Sequence, residues 1–139
     1  RRESKENPRW RWRGERPHSA ILRILASADA FVQTSIAEGG STAMSEAVVS
    51  HLPILSTRIP GAIGMLGSRH PGYFEPGDAR GLADLLDRCE RDVKFRRKLK
   101  ASADRRAGLF TPESERFAWR SLLGEFPFAK AKAARARPT

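Results

Sequence analysis

Two carboxylates and a pair of glycines define the chemistry open to this chain. In Glu38-Gly39-Gly40-Ser41-Thr42-Ala43-Met44-Ser45-Glu46-Ala47 the acids stand on either side of a glycine-rich turn. Gly39 and Gly40 let backbone approach a ligand closely. A helix that starts here offers its first free N–H groups to an anion such as a phosphate. Ser41 or Thr42 can cap that helix, and Glu46 falls on its second turn. A carboxylate beside a phosphate site is poorly placed to hold phosphate itself. It is well placed to accept hydrogen bonds from sugar hydroxyls. A nucleotide sugar carries both chemistries.

Such a turn must be held by strands. Ala30-Phe31-Val32-Gln33-Thr34 precedes it and Leu52-Pro53-Ile54-Leu55-Ser56 follows it. Both runs are short, partly β-branched and bounded by Gly, Pro or Ser, so both read as buried strands. Strand, glycine turn, helix, strand is the order of a parallel sheet. There the turn delivers a helix N-terminus to the carboxyl edge of the strands, where ligands of open α/β sheets bind.

The 139 residues allow one domain at most. No apolar stretch is long enough to span a bilayer. The chain opens on Arg1 and has no secretory apolar segment, so it reads as a fragment or a trimmed chain. Cys89 is the single cysteine, which excludes a disulfide framework and a cysteine metal site and makes a reducing cytoplasm the expected compartment. Three scattered histidines have no ligand-like spacing, so no metal is expected. The net charge of +10 is concentrated at the ends: residues 1–16 hold seven basic and three acidic side chains, and residues 129–139 hold four basic and none acidic. Solvated termini account for this. Nucleic acid or an anionic surface is the alternative use of such charge.

Residues 1–7 read as a disordered segment and 129–139 as a basic low-complexity tail, with the folded domain over 8–128. Trp10 and Trp12 alternate with Arg9, Arg11 and Arg13, which predicts a short strand; the same alternation could stack on single-stranded bases. Pro17 opens a helix over 17–27 with Ile21, Leu22, Ile24, Leu25 and Ala28 on one face. His51 sits at the end of the helix over 41–50, where a cation is favoured; a catalytic histidine is the alternative. Arg58 to Gly67, with its G-x-x-G-x-x-G spacing, reads as a flexible loop over the carboxyl edge. It is neither a dinucleotide fingerprint nor a Walker motif. Asp78 and Asp92 are set to cap helices over 79–90 and about 93–107, with Leu82, Ala83, Leu85 and Leu86 inward on the first and Phe95, Leu99 and Ala103 on the second. Thr111-Pro112 starts a last helix bearing Phe117, Trp119, Leu122, Leu123 and Phe126.

In this order the pieces resemble the C-terminal, donor-binding part of a GT-B retaining glycosyltransferase of the family 4, or group 1, type. Ala28-Asp29-Ala30-Phe31-Val32 through Ser35 is similar to that family's "aDvfv..S" strand. Glu38 to Glu46 matches its E-x7-E motif, and Leu52-Pro53-Ile54-Leu55 follows at the place of "G-x-P-V-v-a". Tyr73-Phe74-Glu75-Pro76-Gly77-Asp78 with Leu82-Ala83 is similar to the closing "l-x-x-p-g-D-x-x-x-L-A". A narrower likeness runs through Glu38-Gly39-Gly40, Ser45-Glu46-Ala47, Ser56 with Arg58-Ile59-Pro60-Gly61, Gly64-Met65-Leu66-Gly67 and Pro71-Gly72-Tyr73-Phe74, which resemble the selenosugar synthases of selenoneine biosynthesis. Those enzymes are implied to join selenophosphate to a UDP-sugar. The chain departs from them at Ser41-Thr42, where Ala-Asn is usual, and at His51-Leu52 before Pro53.

The resemblance implies a Rossmann-like three-layer α/β fold with a parallel sheet, part of a GT-B C-terminal domain. Strands are expected near 10–12, 30–35, 53–57 and 72–74, with helices on both faces. It implies Glu38 as the catalytic residue, facing the donor sugar or its phosphate. Gly39, Gly40, Ser41, Thr42 and Glu46 are the implied donor-binding residues, with Glu46 on the ribose and the backbone on the diphosphate. All of these are expected to line one pocket. The implied partners are a nucleotide-sugar donor, UDP-linked, and an amino-terminal Rossmann-like half in the same chain or in trans, without cofactor, metal or nucleic acid. A vestigial or non-catalytic nucleotide-sugar-binding module is the reading of a different class, and a basic nucleic-acid-associated domain a third. The plainest reading of the turn is an ordinary α/β connection with two exposed glutamates.

Overall fold

A computed structural model of the chain describes residues 7–125. The expectations for residues 1–6, for Phe126 and for the basic tail lie outside the described residues. Helix α1 (His18–Ala26) follows Pro17, as the sequence predicts, and turns through Ser27 into β1 (Phe31–Gln33). Helix α2 (Thr42–Val49) follows the glycine turn and leads to β2 (Ile54–Thr57). Then come α3 (Pro60–Leu66) and β3 (Tyr73–Phe74). Two longer helices, α4 (Ala79–Arg91) and α5 (Val93–Asp104), a 3₁₀ turn (Ala107–Phe110) and α6 (Pro112–Glu125) complete the described chain.

The three strands form one parallel sheet in the order β1-β2-β3. Phe31 stands opposite Ile54, Gln33 opposite Ser56, and Ser56 in turn opposite Tyr73. All four residues of β2 are buried, as a central parallel strand covered on both faces must be. Successive side chains on a strand point to opposite faces. Ile54 accordingly joins Leu25, Met44, Val48, Ala62 and Leu66 from α1, α2 and α3. Leu55 joins Cys89 of α4 and Phe95 and Leu99 of α5 on the other side. Each fully buried Leu, Ile, Val, Phe or Met side chain among them contributes about 1.5–3 kcal/mol. Helices on both faces of a parallel sheet are the predicted three-layer fold.

The predicted caps form. Ser41 Oγ accepts from the Met44 amide at 3.2 Å, Asp78 from Gly81 at 2.8 Å, Asp92 from Phe95 at 2.9 Å and Thr111 from Ser114 at 3.1 Å. His51 sits just past α2 with φ of 58°, a left-handed conformation that glycine adopts freely and histidine does not. Its Nδ1 lies 2.8 Å from an Asp104 carboxylate oxygen, and its carbonyl accepts from Lys100 at 2.9 Å, so α5 holds it in place.

Three expectations are corrected. Residues 10–12 form no strand; the Trp10 amide closes a turn onto the Asn7 carbonyl, and both tryptophans are about half exposed. Side-chain alternation is present there, but a strand also needs a neighbour in the sheet. Residues 58–67 are not a loop but carry α3, because Pro60 at the first turn fixes a helical φ and Ala62 and Leu66, four apart, are both buried. On α4 the inner face is Leu85 and Cys89, while Ala83 and Leu86 turn outward. Two apolar faces are only partly used: Leu22 and Ile24 of α1 are exposed, and so are Phe117, Trp119, Leu122 and Leu123 of α6.

His70 is the unforeseen core residue. It is buried, donates from Nε2 to the Ile54 carbonyl at 2.8 Å, and receives the Ser102 hydroxyl at Nδ1 at 3.0 Å. Burial holds its pKa below the ordinary 6.5, so the folded state keeps it neutral. The unfolded chain binds that proton first as pH falls. Thermal stability is therefore expected to hold above pH 6.5 and to decline as the pH drops below it, well before the carboxylates titrate. Melting followed by circular dichroism between pH 7.5 and 5 checks this.

Candidate functional site

The glycine turn lies at the carboxyl edge of the sheet, between the end of β1 and the start of α2. The strand ends are tied there: the Thr57 hydroxyl donates to the Ser35 carbonyl at 2.5 Å. The turn rests on α3. A Cβ at Gly61 would come within 2.0 Å of the Glu38 carbonyl oxygen and 3.3 Å of Gly39 C, so only glycine fits where α3 begins. From the last turn of α3, Met65 Sδ receives the Ser41 amide at 3.4 Å.

Gly39 and Gly40 differ from Gly61. A Cβ at either would meet nothing within 4 Å, and neither has positive φ. Nothing in the described protein therefore requires glycine at these two positions. Beyond them, the amides of Gly40, Thr42 and Ala43 donate to no acceptor among the described residues. The first turn of α2 thus presents unpaired donors beside two side-chain-free positions, at the positive end of the helix dipole.

The two glutamates are placed differently. Glu38 is exposed, and its Oε2 accepts a short hydrogen bond from the buried Gln33 side chain at the end of β1. Glu46 is mostly buried, with 16% of its side chain exposed, and its Oε1 lies 2.7 Å from His18 Nε2 at the start of α1. One carboxylate oxygen of each is thus engaged and the other remains available. The structure brings Glu38, Gly39, Gly40, Ser41, Thr42 and Glu46 to one edge of the sheet. Glu38, Gly39, Gly40 and Thr42 are exposed there, and cavities of about 250, 430 and 320 Å³ are lined by other residues.

Sequence reading missed four participants. Gln33 and His18 orient the two carboxylates, and Gly61 and Met65 support the turn. Gln33 left a signal as a polar residue inside an apolar strand, and Gly61 and Met65 lay in the glycine-spaced segment expected over the carboxyl edge; His18 acts across the fold. No group of three or more His, Cys, Asp or Glu among the described residues is arranged around a common metal position. The Cys89 thiol is buried, and burial raises its pKa, so it is an unreactive core group.

Residues 3–106 match the family model of the glycosyl transferases group 1. The chain belongs to that family. A relative in Bacillus subtilis (strain 168), the "Putative teichuronic acid biosynthesis glycosyltransferase TuaC", is 29% identical over 79 residues. That match covers 57% of this chain and 20% of the relative, so the aligned part spans about a fifth of that protein. No helix among the described residues is long and apolar enough to cross a membrane.

The two kinds of glycine separate by stability. Gly61→Ala is expected to destabilise the protein by about 1–3 kcal/mol, because the new Cβ meets backbone that cannot turn aside. Gly40→Ala is expected to stay within about 0.5 kcal/mol of the parent. Urea unfolding of both variants measures the contrast.

Proposed function

We propose that this chain is the donor-binding part of a glycosyltransferase that uses a UDP-sugar. The observation that carries the reading is the pair Gly39-Gly40, which folding does not require, set beside unpaired amides at the start of α2. In this reading the amides of Gly40 to Ala43 hold the diphosphate. Glu46 accepts hydrogen bonds from the ribose through the oxygen that His18 leaves open. Glu38 faces the donor sugar, and Gln33 keeps its carboxylate turned that way.

The transfer breaks the bond between the anomeric carbon and the diphosphate oxygen. The electron pair leaves with UDP, and the acceptor's nucleophile bonds to the anomeric carbon. Amides preset at the departing diphosphate stabilise the charge as it develops, so the reading needs neither metal nor cofactor. The acceptor side belongs to a second Rossmann-like half, supplied in cis or in trans, which closes the open turn into a pocket. The likeness to selenosugar synthases supports selenophosphate as the acceptor. A cytoplasmic site of action accords with a nucleotide-sugar donor and a single reduced cysteine.

Calorimetric titration with UDP, on the chain joined to or mixed with its amino-terminal half, tests the reading. Glu46→Ala is expected to weaken UDP binding by about 1–3 kcal/mol, the range for hydrogen bonds to a charged group. Glu38→Ala is expected to slow transfer more than it weakens UDP. Unchanged UDP affinity in Glu46→Ala removes the ribose assignment, and intact transfer alongside it favours a plain structural turn.

A further inference from the structure

The opposite, amino edge of the sheet carries a feature that donor binding does not use. There the end of α3, the segment 67–70 and the end of α5 border a half-open cavity of about 250 Å³. Arg69, Arg105 and Arg106 line it, with Ser68, and no carboxylate does. Arg106 is set in place by its own hydrogen bonds, from Nε to the Met65 carbonyl at 3.0 Å and from a terminal nitrogen to the Gly64 carbonyl at 2.8 Å. Arg69 and Arg105 form no ion pair among the described residues. The amides of Ser68 and Arg69 likewise have no acceptor among those residues.

The wall behind these groups is rigid. His70 and Ser102 are buried and bonded to each other, and His70 is also bonded to Ile54 at the start of β2. That pair uses its hydrogen atoms internally, so recognition falls to the guanidinium groups and the loop amides. Three like charges around one cavity repel each other unless an anion joins them. Guanidinium forks match the geometry of phosphate oxygens two at a time.

We propose that the Arg69–Arg105–Arg106 cavity is a phosphate site, separate from the glycine turn and at the other edge of the sheet. Its ligand is inorganic phosphate or the phosphate of a small monoester. The cavity is larger than a phosphate ion, which leaves room for a short organic group.

Titration calorimetry at low salt tests this with inorganic phosphate and, separately, with glycerol 3-phosphate. Arg69→Ser with Arg105→Ser is compared with Arg80→Ser plus Arg97→Ser, which removes the same charge from exposed positions outside the cavity. The cavity variant is expected to bind phosphate at least about tenfold more weakly, and the control to change less than about twofold. Tighter binding of glycerol 3-phosphate than of phosphate supports a monoester ligand; the reverse supports the free ion. Equal weakening in both double variants, or no binding by the parent, overturns the proposal. Should the cavity variant fail to fold, Arg69→Lys carries the test: it keeps the charge and loses the fork, so phosphate binding is expected to fall, and unchanged affinity contradicts the site.

Discussion

The carbonyl of Glu38 occupies the place where any residue but glycine at 61 would put its Cβ. This contact joins the start of α3 to the turn in front of α2, and much of the carboxyl edge depends on it. With α3 seated there, Met65 reaches the Ser41 amide and Tyr73 lies under the helix. The Tyr73 hydroxyl stands 3.1 and 3.0 Å from the carbonyls of Ala62 and Gly67, and burial pushes its pKa up to about 12, so it remains a donor at any physiological pH. The Arg58 guanidinium lies 5.4 Å from the centre of the Tyr73 ring. The turn is therefore supported from below, and Glu38, Gly39 and Gly40 are exposed above.

The two carboxylates illustrate how little of a site is its named residues. Glu38 and Glu46 stand eight positions apart, yet their orientation comes from Gln33 on β1 and His18 on α1. Each partner occupies one oxygen and leaves one. The edges of the sheet also differ in character, with acids beside amides that have no acceptor among the described residues at the carboxyl edge, and three arginines around a cavity lined by no carboxylate at the amino edge.

What was legible in the sequence was what local chemistry decides. Ser41, Asp78, Asp92 and Thr111 cap helices because a side-chain oxygen three residues from an amide is a sufficient cause. The strands at Phe31–Gln33 and Ile54–Thr57 were legible because a short apolar run between turn residues has few other uses. Helix α3 was not, since Gly61 and Gly64 weaken local helix propensity and tertiary packing of Ala62 and Leu66 overrides it. The alternation at Trp10 and Trp12 pointed to a strand, and the sheet supplies no partner for one among the described residues. His70 was legible only as part of the irregular segment after Gly67, and its burial was not, because its partners Ile54 and Ser102 lie 16 and 32 residues away. The separation of His18 from Glu46, 28 residues, hid that pair in the same way.

On the proposed function, the amides opening α2 hold the diphosphate of the donor. Amide-resolved nuclear magnetic resonance during titration with UDP addresses it directly, since hydrogen bonding to phosphate moves an amide proton strongly. Gly40, Thr42 and Ala43 are expected to shift most, and together. Binding of UDP that leaves those three amides unmoved, or that moves only the Ser68–His70 segment at the other edge, contradicts the account.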